Sequence, residues 1–176
     1  MATTADYVRY NSVARALHWS IGVLILFNLF TGIFGEGLEK MWESMPVHKA
    51  TGLLILLLSL VRFGWRLRWT TPDYPVDFNP GFRKFAAATH GTFYLLMLIL
   101  PVTGWIFTSA GKYPLSFYGL FDWPKLALTK DMPIVGAAHE THEILGYAFA
   151  ALVVLHVGAA LYHHFALKDP TLRRML

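Results

Sequence analysis

The stretch H-E-I-L-G-Y-A-F-A-A-L-V-V-L-H-V-G-A-A-L-Y-H-H-F at residues 142–165 decides the fold of this chain. It has the length and apolar character of a membrane-spanning helix, which needs about 20 residues to cross the hydrocarbon core. His142 begins the stretch, and His156 follows 14 residues later. An ionisable side chain within a membrane span is costly and therefore indicates a function. The stretch predicts a membrane helix that carries part of a functional site.

Three other stretches are similarly apolar, at residues 17–34, 48–65 and 85–107. The third contains Pro101, which is tolerated inside a membrane bundle. Of the 176 residues, 55% are hydrophobic and only 15% are charged, whereas soluble domains carry about 25% charged residues. We therefore predict an all-α, membrane-spanning four-helix bundle that forms a single domain over residues 1–176.

The chain contains no cysteine. This excludes disulfides, iron–sulfur clusters and haem attached covalently through a C-x-x-C-H motif. Nucleotide-binding glycine motifs are also absent, and H-E-T-H-E at residues 139–143 spaces its histidines three apart rather than the four of a zinc-protease helix. Nothing in the sequence supports a nucleic-acid partner.

Basic residues are concentrated in three segments: the N-terminal tail, the end of span two with its connection to span three, and the C-terminal tail. These segments hold ten of the 15 lysines and arginines: Arg9, Arg15, Arg62, Arg66, Arg68, Arg83, Lys84, Lys168, Arg173 and Arg174. Such segments face the cytoplasm, so both termini are predicted to be cytoplasmic. No eukaryotic targeting signal is visible, and we expect a multi-pass protein of the bacterial inner membrane, surrounded by lipid.

The connection between spans three and four, residues 109–138, is long and rich in aromatic side chains. Aromatic rings favour the depth of the lipid headgroups. We predict a structured, partly helical periplasmic cap here.

The histidines form two levels. At about 1.5 Å per residue, His156 lies roughly 21 Å deeper than His142 and on nearly the same helix face. His48 lies at the depth of His142, and His18 at the depth of His156. Neutral imidazole is a good ligand for haem iron. We predict two haem b groups, one held by His48 and His142 near the periplasmic face and one held by His18 and His156 near the cytoplasmic face.

Each of these four histidines has a small residue one helical turn further on, at a position that shares its face. The small residues are Gly22, Gly52, Gly146 and Ala160, and they are predicted to leave space for a haem plate. The other histidines lack this feature; His90, for example, is followed by Tyr94. Glycine also serves close helix packing in membranes, and His90 remains an alternative to His18.

Two further features surround the predicted cytoplasmic haem. Arg62 and Arg66 serve first as positive-inside residues, and they could also neutralise haem propionates because arginine matches carboxylates well. Trp19 neighbours His18 and is expected to act mainly as an interface anchor.

The chain resembles the bacterial cytochrome b-561 family of four-helix dihaem membrane proteins over nearly its whole length. The resemblance is carried by A-R-A-L-H-W (14–19), V-H-K-A-T-G (47–52), V-R-F-G-W-R-L-R (61–68), H-G-T-F-Y-L-L-M-L-I-L-P-V-T-G (90–104), H-E-I-L-G-Y (142–147), L-H-V-G-A-A-L-Y-H-H-F (155–165) and K-D-P-T-L-R-R-M (168–175). It implies the same four haem ligands.

One branch of that family acts as a superoxide oxidase, which implies electron transfer from periplasmic superoxide to a ubiquinone-type quinone. The resemblance places His163 near the quinone, and Ala16 stands where that branch has a serine lining the quinone pocket. We group Trp19 with this quinone site. The replacement of the serine by Ala16 affects the expected quinone geometry and not the haems.

Two histidine ligands saturate each iron, which favours outer-sphere electron transfer over oxygen activation. The chain is therefore expected to be an oxidoreductase, in which His163 or His164 could supply a proton to reduced quinone. Two other functions stay open on sequence alone. The first is a haem b subunit that serves a separate dehydrogenase or hydrogenase, and the second is a proton-coupled transporter or sensor without redox chemistry.

Overall fold

The computed structural model describes residues 8–72 and 80–176. Helix α1 spans Ser12–Ile33, the one-turn helix α2 spans Gly35–Leu38, and α3 spans Ser44–Arg68. Helix α4 spans Pro80–Ser109, α5 spans Pro133–Tyr162, and a π-helical turn at His163–Leu167 extends α5. The four long helices are long and apolar enough to cross a membrane, which confirms the predicted four-helix membrane bundle.

The long helices begin four to nine residues before the predicted spans. The side chain of Asn11 accepts a hydrogen bond from the amide of Ala14 at 2.8 Å, which caps α1. Pro133 opens α5 at a position where its missing N–H is not needed. As a result, His142 lies well inside α5 rather than at its start.

The cap between α4 and α5 was predicted to be partly helical, and this was wrong. Strands β1 (Leu115–Phe117) and β2 (Phe121–Trp123) form an antiparallel hairpin there. Tyr118 and Gly119, with φ of 52° and 74°, turn the chain between them. Aromatic residues favour strands, and Gly119 tolerates the left-handed backbone.

The helices pack in sequence, α1 on α3, α3 on α4 and α4 on α5, while α1 and α5 make little direct contact. An apolar core cluster lies at mid-depth and is formed by Ile21, Ile25, Ile55, Leu96, Met97, Leu100 and Phe149. Many outward apolar side chains stay exposed, such as Val154 at 70% and Leu155 at 69%. This pattern suits a bundle surrounded by lipid.

The first described residues, from Val8 onward, and the C-terminal segment lie at one end of the bundle, which we call the lower end. The amide of Tyr10 donates to the carbonyl of Arg174 at 3.0 Å. Arg174 is buried, and its guanidinium donates to the carbonyls of Val8 and Pro72 at 3.2 and 2.9 Å. The C-terminal segment therefore fastens the start of α1 to the residues after α3. The predicted cytoplasmic orientation of this end stays a prediction.

Candidate haem-binding sites

The structure brings His48 of α3 and His142 of α5 together near the end opposite the termini, and we call them the upper pair. Their ring centroids are 6.2 Å apart, and the ring planes meet at 80°. Near the lower end, His18 of α1 and His156 of α5 form the lower pair, also with centroids 6.2 Å apart and with ring planes at 71°. These are the same two pairs that the depths of the histidines suggested.

The separation within each pair suits two imidazoles on opposite sides of one metal ion. A coordinating imidazole nitrogen lies about 2 Å from its metal, and the ring centre lies about 1 Å behind that nitrogen. Two such ligands therefore have ring centres about 6 Å apart. Each pair could hold one iron without moving either helix.

The rings of the upper pair are oriented through their Nδ1 atoms. Nδ1 of His48 lies 3.0 Å from the carbonyl oxygen of Asn28 and 3.2 Å from the hydroxyl of Thr31. Nδ1 of His142 lies 2.9 Å from the carbonyl oxygen of Leu100 and 3.3 Å from the hydroxyl of Thr103. An Nδ1–H that donates to a carbonyl leaves Nε2 as the metal ligand.

A glycine follows each of these threonines and allows the close approach of the ring. A Cβ on Gly32 would lie 2.9 Å from Cε1 of His48, and one on Gly104 would lie 3.2 Å from Cε1 of His142. The upper pair is thus enclosed by two matched threonine–glycine units, Thr31–Gly32 on α1 and Thr103–Gly104 on α4. We call these units the collars.

An open cavity of about 1180 Å³ contains the upper pair. It is larger than the cavities of about 300–1,000 Å³ that hold most small ligands. Gly52 and Gly146, two of the predicted small neighbours, line it, as does Lys49. A Cβ on Gly146 would meet nothing within 4 Å. The size, the apolar lining and the paired rings fit a haem.

Three histidines meet at the lower end, because the ring of His90 on α4 is centred 6.3 Å from that of His156. Distance alone does not separate His90 from His18. The packing does, since α4 packs directly against α5 while α1 and α5 are held apart. A haem needs space between the helices of its two ligands, which favours the pairing of His18 with His156.

The other predicted features of the lower site have mixed support. A Cβ on Gly22 would meet nothing within 4 Å. The same is true of Gly64 and Gly91, which follow no histidine by four residues, so the observation does not single out Gly22. Ala160 is half-buried on α5. Arg62 lies within electrostatic range of both rings of the lower pair and donates to the carbonyl of Ala14 at 3.0 Å.

The residues grouped with the quinone occupy two places. Trp19 lies beside His18, with ring centroids 5.5 Å apart, and its indole N–H donates to the carbonyl of Met175 at 2.8 Å. Ala16 is exposed on the same helix. His163 lies in the π-helical turn, where its Nδ1 is 2.5 Å from a carboxylate oxygen of Asp169.

Sequence reasoning missed the collars and Asp169. The sequence did carry a signal for the collars, since Thr-Gly occurs at 31–32 and again at 103–104. The spacing of residues along the sequence does not show which histidine each Thr-Gly dipeptide contacts. Asp169 reaches His163 only because the π-helical turn and the left-handed Lys168 reverse the chain.

Four apolar spans with two internal histidine pairs define a multi-pass membrane protein whose histidines could hold a metal cofactor. The family model described as prokaryotic cytochrome b561 matches residues 9–176, and the chain belongs to this family. The family performs transmembrane electron transfer and implies haem b as the cofactor. The chain is accordingly a multi-pass inner-membrane protein and an oxidoreductase-type cytochrome.

Individual relatives agree with this family. The chain is 30% identical to cytochrome b561 homolog 2 of Escherichia coli, over 100% of this chain and 95% of that protein. It is 30% identical to cytochrome b562 of Cereibacter sphaeroides, over 95% and 94% of the two chains. It is 27% identical to the probable superoxide oxidase CybB of Yersinia pestis, over 96% of each.

Proposed function

We propose that the protein moves single electrons across the membrane through two haem b groups. His48 and His142 hold one near the periplasmic face, and His18 and His156 hold the other near the cytoplasmic face. The observation that carries this proposal is the pair of 6.2 Å imidazole separations at opposite depths of one bundle. Bound haem supplies a reversible one-electron couple.

Superoxide outside and a ubiquinone-type quinone inside are the donor and acceptor that we favour. The similarity to the probable superoxide oxidase of Yersinia pestis supports superoxide as the donor. One electron leaves superoxide to give molecular oxygen, and two such electrons with two protons convert a quinone to a quinol. Histidine on both sides of each iron suits electron transfer without binding of oxygen.

His163 is the proposed proton donor to the reduced quinone. The carboxylate of Asp169 accepts from its Nδ1, which fixes the tautomer and leaves Nε2 to face a ligand. The ring of Phe82 lies against it at 6.4 Å between centroids. A histidine that only ended α5 at the membrane interface would not need a carboxylate in hydrogen-bond contact with its Nδ1.

A reduced-minus-oxidised visible spectrum with a haem-to-protein ratio tests the cofactor assignment. We expect two haems b per chain when the protein is made with ample haem supply. A well-folded preparation with fewer than two haems would reject the proposal as stated. A colourless preparation would favour a proton-coupled transporter or sensor without redox chemistry.

Stopped-flow mixing with superoxide tests the donor. We expect the isolated protein to be reduced near the diffusion limit, about 10⁸–10⁹ M⁻¹s⁻¹. Slow reduction would favour the second candidate, a haem subunit for a separate dehydrogenase or hydrogenase. One observation supports that candidate: the cap exposes Tyr113, Leu120 and Phe121 at 78%, 77% and 52%, which would suit a docking partner.

The variants His163→Ala and His164→Ala test the acceptor side. We expect His163→Ala to slow quinone reduction while both haems stay bound and superoxide still reduces them. His164 has no carboxylate partner among the described contacts, so its variant serves as the matched control. An unchanged quinone rate in His163→Ala would remove this residue from the mechanism.

A further inference from the structure

The two histidine pairs differ in the hydrogen bonds of their rings. Each ring of the upper pair has its Nδ1 beside both a backbone carbonyl and a threonine hydroxyl. Within residues 8–72 and 80–176, no hydrogen bond reaches a ring nitrogen of His18 or His156. The environment of the four proposed ligands is therefore asymmetric across the bundle.

The collar threonines act as acceptors toward the rings. The hydroxyl of Thr31 lies 3.1 Å from the carbonyls of Phe27 and Asn28, so its own hydrogen is directed back into α1. Thr103 is bonded in the same way to Ile99 and Leu100, at 2.9 Å each. A lone pair of each hydroxyl is then left to accept from the imidazole Nδ1–H.

Accepting a hydrogen bond from Nδ1–H makes the imidazole a more basic, more electron-donating ligand. Such a ligand stabilises the oxidised iron more than the reduced iron, so it lowers the reduction potential. The rings of the lower pair lack this effect in the described structure.

Charge separates the two pairs less clearly than the hydrogen bonds do. Lys49 lies within electrostatic range of His48, as Arg62 does of both rings of the lower pair, while Glu39 and Glu143 line the upper cavity. Negative charge favours the oxidised form of a nearby redox centre, and positive charge favours the reduced form.

We infer that the upper haem has the lower reduction potential, and that Thr31 and Thr103 are positioning residues that produce part of the difference. The inference rests on the proposed two-haem function and adds a direction to it. Haems held by the two pairs would allow one electron to pass from the upper to the lower one, with no proton or bond exchanged. That transfer is downhill from the upper to the lower end of the bundle.

Potentiometric titration of the purified, haem-loaded protein tests the order of the potentials. His48→Ala removes an upper ligand and His18→Ala removes a lower one, so each variant identifies the haem that remains. We expect the haem left in His48→Ala to titrate with the higher-potential component of the wild type. We expect the haem left in His18→Ala to titrate with the lower-potential component, and the opposite assignment overturns the inference.

The variants Thr31→Val and Thr103→Val test the collars. Each keeps the size of the side chain and removes the acceptor, so each should shift the lower-potential component upward. The double variant should show about the sum of the two shifts, while the higher-potential component stays in place. Thr31→Ser and Thr103→Ser keep the hydroxyl and should restore the wild-type potential.

Thr92→Val is the matched control, because the Thr92 hydroxyl bonds only to the carbonyl of Ala88 on its own exposed helix face. It should shift neither component. Unchanged potentials in the collar variants at full haem content would reject the role of the threonines. Loss of the upper haem in a valine variant, with recovery in the serine variant, supports it. A wild-type protein with fewer than two haems would instead count against the proposed function.

Discussion

Single atoms decide how closely helices can surround the upper histidines. Gly32 and Gly104 present only hydrogen where any other residue would place a methyl group against the imidazole. The tighter of the two approaches is at Gly32, at 2.9 Å from Cε1 of His48. His48 also holds two hydrogen bonds, so its ring has little freedom to retreat.

Gly32→Ala should therefore displace His48 and reduce the occupancy of the upper haem. Overpacking of this kind costs about 1–3 kcal/mol, and Gly104→Ala should be milder because its contact is 3.2 Å. The haem-to-protein ratio and the melting temperature measure both effects. Gly64→Ala is the control, since a Cβ there meets nothing within 4 Å. It should stabilise the helix by about 0.4–1 kcal/mol, and a loss as large as that in Gly32→Ala would contradict the steric explanation.

Asp169 gives the lower end a dependence on pH. Partial burial alone would raise the pKa of this carboxyl, but hydrogen bonds with His163 and Thr171 outweigh burial and lower the pKa below its ordinary value of 3.8. A lowered pKa means that the folded state favours the carboxylate. Its contribution to stability is complete at neutral pH and is lost as the pH falls through the lowered pKa.

The difference in melting temperature between the wild type and Asp169→Asn should therefore be largest at neutral pH. It should shrink as the pH is lowered past 3.8 and disappear below the lowered pKa. Asp122→Asn, in the exposed strand β2, serves as a control for the loss of one charge. A difference that grows on acidification would have the wrong sign for this explanation.

At the scale of elements, a side chain at the turn of the hairpin bonds the cap to the bundle. The hydroxyl of Tyr118 lies 2.8 Å from that of Thr51, which is 1% exposed on α3. The Thr51 hydroxyl also lies 2.7 Å from the carbonyl of Val47, so it donates there and accepts from Tyr118. Thr51 is one helical turn from His48, and the contact therefore links the cap to the upper pair.

Tyr118→Phe should loosen the hairpin, at a cost of about 1 kcal/mol for a hydrogen bond to a buried partner. Hydrogen exchange of the backbone amides in β1 and β2 should become faster, while exchange in α3 is unchanged. Tyr113→Phe is the control, because Tyr113 is 78% exposed. Equal acceleration in the two variants would show that the bond to Thr51 does not hold the cap.

The sequence predicts the four long helices much better than it predicts the hairpin. A run of about 20 apolar residues predicts a membrane helix almost by length alone, and all four were found. Their first turns were missed because caps such as Asn11 are polar. The hairpin was missed because a three-residue strand is too short for its alternation to stand out from an aromatic-rich loop.

The two histidine pairs could be predicted by counting residues, because the depth of a residue in a membrane helix is proportional to its position along that helix. The contacts of the collars with the histidines could not be predicted in this way. They join α1 to α3 and α4 to α5, and they depend on how neighbouring helices are rotated about their axes. The small residue four positions on favoured His18 over His90, but the spacing left His90 open as an alternative. That distinction comes from the packing of whole helices.

At the scale of the whole molecule, the gap between α1 and α5 predicts which histidine the lower haem needs. His18→Ala should leave one haem per chain, measured by spectrum and protein content. His90→Ala should leave two, because α4 packs directly against α5, whereas α1 and α5 make little direct contact. The reverse result would mean that the lower iron is bound by His90, and the proposed pair of ligands would have to be revised.

The fastening at the lower end also sets an order of assembly. Arg174 and Met175, which hold Val8, Pro72 and Trp19, leave the ribosome after all four spans have been made. Domains generally fold from the N-terminus as they emerge, yet this end of the bundle cannot close until synthesis has passed residue 175. The contacts that join this end of the bundle are therefore made only after all four spans have been synthesised.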